Sequence, residues 1–126
     1  MSKLVHKELS DIIVGIAFKV HNAIGAGLKE TVYQSAFCLQ LSKCGLHFEQ
    51  EKHFPVLFEN EQVGYYLADI VVENTIILEL KAVSDFHPSM YAQVINYLRI
   101  SGLPVGYLIN FSGSRVKFKR FVNLKE

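Results

Sequence analysis

Apolar residues recur at helical spacing from the start of the chain. Leu4, Val5, Leu9, Ile12, Ile13, Ile16 and Val20 form one stripe, with Lys7, Glu8, Asp11 and Lys19 opposite. This predicts an amphipathic helix that ends in His21-Asn22-Ala23-Ile24, ahead of the punctuation Gly25-Ala26-Gly27. A second helical pattern runs from about Lys29 to Lys43 and stops near Gly45. The middle of the chain changes period. HFEQEKHFPVLFEN alternates in part, with Pro55 marking an edge or bulge, and Glu59 to Gln62 reads as a polar turn. Val63 to Val72 and Thr75 to Val83 are β-branched runs joined across Glu73-Asn74. A third helix, opened by Asp or Ser near Pro88 and carrying Met90, Val94, Tyr97, Leu98 and Ile100, ends at Gly102. Pro104 to Phe111 suits a buried strand, and Arg115 to Phe121 is a last alternating one. The order of helix, helix, three strands, helix and two strands predicts an α/β fold of the α+β kind: a mixed sheet flanked by helices, with residues 88–101 as a crossover.

Outside the Glu73-Asn74 turn, three charges interrupt the apolar runs of LADIVVENTIILELK: Asp69, Glu79 and Lys81. A lone buried carboxylate costs several kcal/mol unless it is paired or bound to a metal. Strand alternation places Leu67, Asp69 and Val71 on one face and Ala68, Ile70 and Val72 on the other, while Ile77, Glu79 and Lys81 share a face. A three-residue turn centred on Asn74 sets Asp69 opposite Glu79, with Lys81 two residues along. A two-residue turn at Glu73-Asn74 sets Asp69 opposite Leu78 and scatters the acids. Carboxylates that close repel unless one is protonated or a cation lies between them. Hard oxygen ligands on a small frame suit Mg²⁺ or Mn²⁺, and a neighbouring lysine can hold or activate water. The plainer reading is an ordinary ion pair on a solvated sheet face, and the three residues alone leave both open.

Composition narrows the setting. The 126 residues suit one domain over 1–126, and half of them are hydrophobic. No apolar run approaches a membrane span, and the charged start is no signal peptide, so the expectation is a cytoplasmic protein without membrane contact. Cys38 and Cys44 lack metal-ligand spacing and read as reduced thiols. The net charge of +1 gives no global basic footprint, so any nucleic-acid contact must be local.

Two helical motifs each have a bland explanation. In GLKETVY, Glu30 would complement the dipole of the second helix, and Tyr33 would be a core aromatic with a bonded hydroxyl. Gln93 and Tyr97 in QVINY share one helix face at i and i+4. Taken in order, however, Gly27-x-x-Glu30-x-x-Tyr33, Asp69, Glu79-Leu80-Lys81-Ala82-Val83, Gln93-x-x-x-Tyr97-Leu98 and the strand VGYLINF resemble the GxxExxY proteins, a branch of the PD-(D/E)xK nuclease superfamily. The resemblance spans about Val20 to Phe121.

That resemblance implies a PD-(D/E)xK nuclease-like core in which Glu30, Asp69 and Glu79, with the backbone carbonyl of Leu80, hold one or two divalent ions. It implies that Lys81 positions the attacking water, and that Gln93 and Tyr97 lie beside the metal site and the nucleic-acid strand. His21 falls where these proteins often carry a histidine; a helix-end histidine meeting the C-terminal dipole is the equal alternative. Ala68 and Ala26 stand where the pattern has proline, and neither position supplies a catalytic atom. The implied activity is Mg²⁺- or Mn²⁺-dependent phosphodiester hydrolysis, of DNA rather than RNA. Setting aside the three site carboxylates leaves 13 basic against 9 acidic residues, or +4. Arg115, Lys117 and Lys119, on one face of the last strand, could contact phosphates or merely protect an edge. The rival reading is a non-catalytic nucleic-acid-binding or regulatory module that retains the fold. A homodimer or other homo-oligomer, joined through Phe54, Phe58, Tyr65 and Tyr66, is a further reading set against burial of those rings in the core.

Overall fold

A computed structural model describes residues 6–123, so the predicted helix positions Leu4 and Val5 lie outside the described residues. The elements follow in the expected order: α1 (Lys7–Ile24), α2 (Glu30–Lys43), β1 (Phe48–Phe58), β2 (Glu61–Val72), β3 (Ile76–Lys81), α3 (Pro88–Ser101), β4 (Val105–Asn110) and β5 (Lys117–Val122). The strands form one mixed sheet in sequence order, with β3 and β4 parallel and the other neighbours antiparallel. A parallel neighbour cannot be reached through a tight hairpin, and α3 is the crossover that carries the chain there. Its N-cap is His87, whose ring accepts from the Ser89 N–H, rather than an Asp or Ser side chain.

Helices cover both faces of the sheet. On one, Ile13, Ile16, Val20, Tyr33 and Phe37 of α1 and α2 close over Ile70, Val72, Leu78 and Ile109. On the other, Leu98 of α3 packs with Tyr66, Ala68, Val71 and Ile77. The approach of α3 depends on Gly106, where an added β-carbon would stand 2.9 Å from Val94 Cγ1 and 3.4 Å from Leu98 Cδ2.

The turns decide which side chains meet. Ile70 pairs with Leu78, Val71 with Ile77 and Val72 with Ile76, which leaves a three-residue loop centred on Asn74. Glu73 (φ 52°) and Asn74 (φ 49°) supply its left-handed backbone. The β1–β2 turn is tighter than expected: Phe58 pairs with Glu61, so only Glu59 and Asn60, both left-handed, form the loop. β3 stops at Lys81, short of Val83, and Arg115 lies in a bend before β5.

Besides a register shift between Val56 and Leu57 near the turn, regular alternation fails around Glu51 and Asp69. Gln50 pairs with Ile70 and Lys52 with Ala68, so the β1–β2 register is the same on both sides of Glu51 and Asp69. Yet Ile70 and Val72 face α1 and α2, whereas Ala68 and Tyr66 pack on the α3 side. The expectation that Ala68 shares a face with Ile70 and Val72 is therefore corrected. Both strands turn over at this point, and Glu51 takes a left-handed φ of 51° to allow it. Such a conformation costs a non-glycine residue of order 1–3 kcal/mol and persists where the surroundings over-determine it.

Gly106→Ala should destabilise the fold by about 1–3 kcal/mol in chemical denaturation, because the new methyl group overpacks against α3. Adding Val94→Ala should recover part of the loss, since Val94 is the nearest obstacle. Equal loss in the single and double variants would place the strain elsewhere.

Candidate active site

The β2–β3 ladder ends at Ile70 and Leu78, and the next positions, Asp69 and Glu79, replace it with side-chain bonds. The Leu80 N–H donates to Asp69 Oδ2 at 2.8 Å, and the Asp69 N–H donates to Glu79 Oε2 at 3.2 Å. Each carboxylate thus accepts from the main chain of the opposite strand. Among the described residues nothing donates to Asp69 Oδ1 or Glu79 Oε1. The Leu80 carbonyl leaves the strand on the same edge as its N–H, toward the parted ladder, because the neighbouring Lys81 carbonyl accepts from the Phe111 N–H just past β4.

This environment favours the protonated acids. Burial, then repulsion by Asp69, pushes the Glu79 carboxyl up to about 8, despite the Asp69 N–H and the nearby Lys81 ammonium. Asp69 is also raised, first by burial and then by Glu51 and Glu30, while the Leu80 N–H and Lys81 oppose the shift. Lys81 is half-buried and on Glu79's face by alternation. The Lys81 ammonium does not offset the two acids, and two free carboxylate oxygens are hard donors. The pair therefore fits a hydrated divalent cation, which would relieve the repulsion that protonation otherwise relieves.

Glu30 approaches from the first turn of α2, where its Oε2 accepts from the Ala82 N–H just past β3, at 3.1 Å. It is exposed and bonded to main chain, and among the described residues no three acids, histidines or cysteines converge on a single ion position. Tyr33 is a fully buried pin: its hydroxyl donates to the Gly25 carbonyl at 2.6 Å, accepts from the Leu28 N–H, and its ring stacks on Phe111 at 4.5 Å. His21 is buried and its Nε2 bonds the Gly113 carbonyl at 2.8 Å, tying α1 to the β4–β5 loop. Both thus serve the frame around the glycine loop.

On the α3 side Tyr97 stacks flat on Tyr66, with ring centroids 3.7 Å apart, and Tyr66 stacks in turn on Phe54. Burial, then the negative charge of Glu79 and Asp69, raises the Tyr97 phenol. Gln93 is exposed one helical turn earlier. Of the four aromatics proposed for an interface, Tyr66 is buried and Phe54 packs beside it, so only Phe58 and Tyr65 are exposed.

Lys117 and Lys119 share the face of Glu79 and Lys81, because the register runs from Lys81 through Asn110 to Lys117 and from Glu79 through Leu108 to Lys119. Two strand spacings separate each pair, roughly 10 Å. Arg115, before the strand, does not belong to that row.

Four contributors are given no site role by the sequence motifs. Glu51 stands across from Asp69, and Gln34 of α2 bonds both Glu51 and the Asp69 carbonyl. Asn110 is buried and exchanges two hydrogen bonds with the Val83 backbone, which fixes the segment after Lys81. Tyr66 sets the position of Tyr97. Only Gln34 leaves a trace in the sequence, at i+4 from Glu30.

A profile of the PD-(D/E)XK nuclease superfamily matches residues 7–121. The chain belongs to that superfamily. Among solved structures it is similar to an alkaline exonuclease (LHK-Exo) from Laribacter hongkongensis, with a TM-score of 0.51 and 9% identity over 90% of this chain and 82% of that one. It is also similar to the protein SSO0001, with a TM-score of 0.53 and 15% identity over 95% of this chain and 60% of that one. At such identities the likeness is one of fold. Comparison with curated protein sequences gave no significant match.

A carboxyl raised in the folded state favours folding most below its unfolded value, 4.5 for Glu79, and that contribution is lost as pH rises through about 8. Without metal, Glu79→Gln should therefore melt close to the unmutated protein at pH 5 and above it at pH 8, where its stability is greater by on the order of a few kcal/mol. A difference in melting temperature that stays constant across this range would contradict a buried, proton-binding Glu79.

Proposed function

We propose that this protein is a metal-dependent nuclease that hydrolyses phosphodiester bonds, of DNA rather than RNA, with Mg²⁺ or Mn²⁺ held by Asp69 and Glu79. The observation that carries this reading is the pair of carboxylates set into the parted β2–β3 ladder, each with one oxygen uncommitted, in a chain of a nuclease superfamily. The likeness to an exonuclease fold agrees with it. A bound divalent ion polarises a phosphate and lowers the pKa of its water.

In this reading Asp69, Glu79 and the Leu80 carbonyl would hold the ion, with Glu30 contributing from the helix side. Lys81 orients the attacking water and offsets negative charge growing on the phosphate. Tyr97 and Gln93 line the α3 wall beside the strand to be cut, and Tyr66 keeps the Tyr97 ring in place. Lys117 and Lys119 neutralise phosphates further along, with Arg115 contributing from the loop. His21 and Tyr33 act through the loops they hold.

We place its action in the cytoplasm; no helix among the described residues is long and apolar enough to cross a membrane. Association of two copies would use the exposed Phe58 and Tyr65.

The deciding experiment incubates purified protein with single- and double-stranded DNA and RNA, with Mg²⁺, Mn²⁺ or chelator. Cleavage should require metal and fall by on the order of a hundredfold or more in Asp69→Ala, Glu79→Ala and Lys81→Ala. Cleavage that persists in Glu79→Ala would identify a contaminant. A protein that binds DNA in chelator, yet neither binds metal nor cuts, would instead be a binding module that retains the nuclease fold.

Replacing Lys117 and Lys119 together by alanine should raise KM with little change in kcat. The slope of log affinity against log salt should shrink by about 2, one unit for each phosphate that is no longer neutralised. An unchanged slope would assign these lysines to protection of the sheet edge.

A further inference from the structure

Gln34 lies one helical turn after Glu30 on α2, so both side chains leave the same face toward the sheet. They reach opposite banks of the parted ladder. Glu30 accepts from Ala82 beyond β3, while Gln34 Nε2 lies 3.2 Å from the Asp69 carbonyl, 3.2 Å from Glu51 Oε2 and 3.4 Å from Gln50 Oε1. An amide nitrogen has two hydrogens, and the two shorter contacts use them.

The Asp69 peptide is consequently served by side chains on both ends: its N–H donates to Glu79, and its C=O accepts from Gln34. Gln50↔Ile70 and Lys52↔Ala68 make Glu51 the strand partner that Asp69 would otherwise have. Gln34 takes the Asp69 carbonyl, an acceptor that a regular pair would use, and ties the Glu51 side chain to the same amide.

We propose that Gln34 is a positioning residue of the acid pair. By holding the Asp69 carbonyl on the α2 side and anchoring the Glu51 carboxylate across the kink, it leaves the Asp69 side chain to reach the Leu80 N–H. Without that donor the Asp69 carbonyl turns to the Glu51 N–H opposite, the strand straightens, and the carboxylate leaves β3. The role rests on the reading of Asp69 and Glu79 as the reacting centre, but its first consequence is visible without metal or substrate.

That consequence is protection of the Leu80 amide, measured by hydrogen exchange in the metal-free protein. In Gln34→Ala, Leu80 should exchange at least tenfold faster relative to Leu78, whereas Gln34→Lys, which can still donate to both acceptors, should preserve protection. Calorimetric Mn²⁺ affinity should drop at least fivefold in the alanine variant, and kcat on an oligonucleotide should fall with KM within twofold. Should the alanine variant not fold by circular dichroism, the isosteric Gln34→Glu, which has no N–H donor, is read in the same way. Leu80 protection and Mn²⁺ affinity both within twofold of the unmutated protein would overturn the proposal. If Leu80 responds as expected while the unmutated protein neither binds Mn²⁺ nor cuts any substrate, the positioning role stands and the nuclease reading falls.

Discussion

Everything at the candidate site follows from the end of the β2–β3 ladder at Ile70 and Leu78. Main-chain N–H groups beyond that point need partners, since an unpaired buried donor costs about as much as a lost hydrogen bond. Asp69 and Glu79 supply them reciprocally, each reaching across to the other's strand. An N–H donor favours the ionised acid, whereas burial and the second acid oppose it. For Glu79 burial dominates. The same bonds that close the gap therefore hold two carboxylates where their charges are costly, and leave one oxygen of each available to a cation.

Much of this was legible in the sequence because it depends on counting. The β-branched runs and strand alternation in β3 leave two registers, and the observed pairing of Val72 with Ile76 selects the one, centred on Asn74, that brings Asp69 to Glu79. The helix–sheet order was equally legible, since the change of period at His47 and the long connection through Pro88–Ser101 leave few topologies. What stayed hidden depends on a local break in the rule being counted. Counting puts Ala68 on the wrong face because alternation reverses at Asp69. No glycine or proline marks that reversal: the left-handed residue is Glu51, held by tertiary contacts that no window of sequence contains. Gln34, Asn110 and Tyr66 escape for a related reason, since each acts on a segment distant in the chain.

The reversal also explains how one short hairpin serves both faces of the sheet. On one side of it, Ile70 and Val72 of β2 fill the core under α1 and α2. On the other, Ala68 and Tyr66 turn to α3, and Tyr66 becomes the platform on which Tyr97 lies. A regularly alternating strand would put Tyr66 on the α1–α2 side and leave Tyr97 without its stacking partner. The acids sit at the crossing point, with the aromatic wall on one side and α2 on the other.

The role of α2 then becomes more than that of a core helix carrying one acid. Tyr33, between Glu30 and Gln34 in sequence, has no exposed surface and is fixed by the Gly25 carbonyl and by Phe111 at the end of β4. A helix locked at that residue cannot rotate to relieve strain at Glu30 or Gln34, and those side chains reach Ala82 and Asp69 on opposite sides of the gap. Packing energy in the core is thereby converted into a fixed separation between β2 and β3 at the site. With the acids embedded in the sheet rather than carried on loops, the geometry of the site and the stability of the fold rest on the same anchored helix.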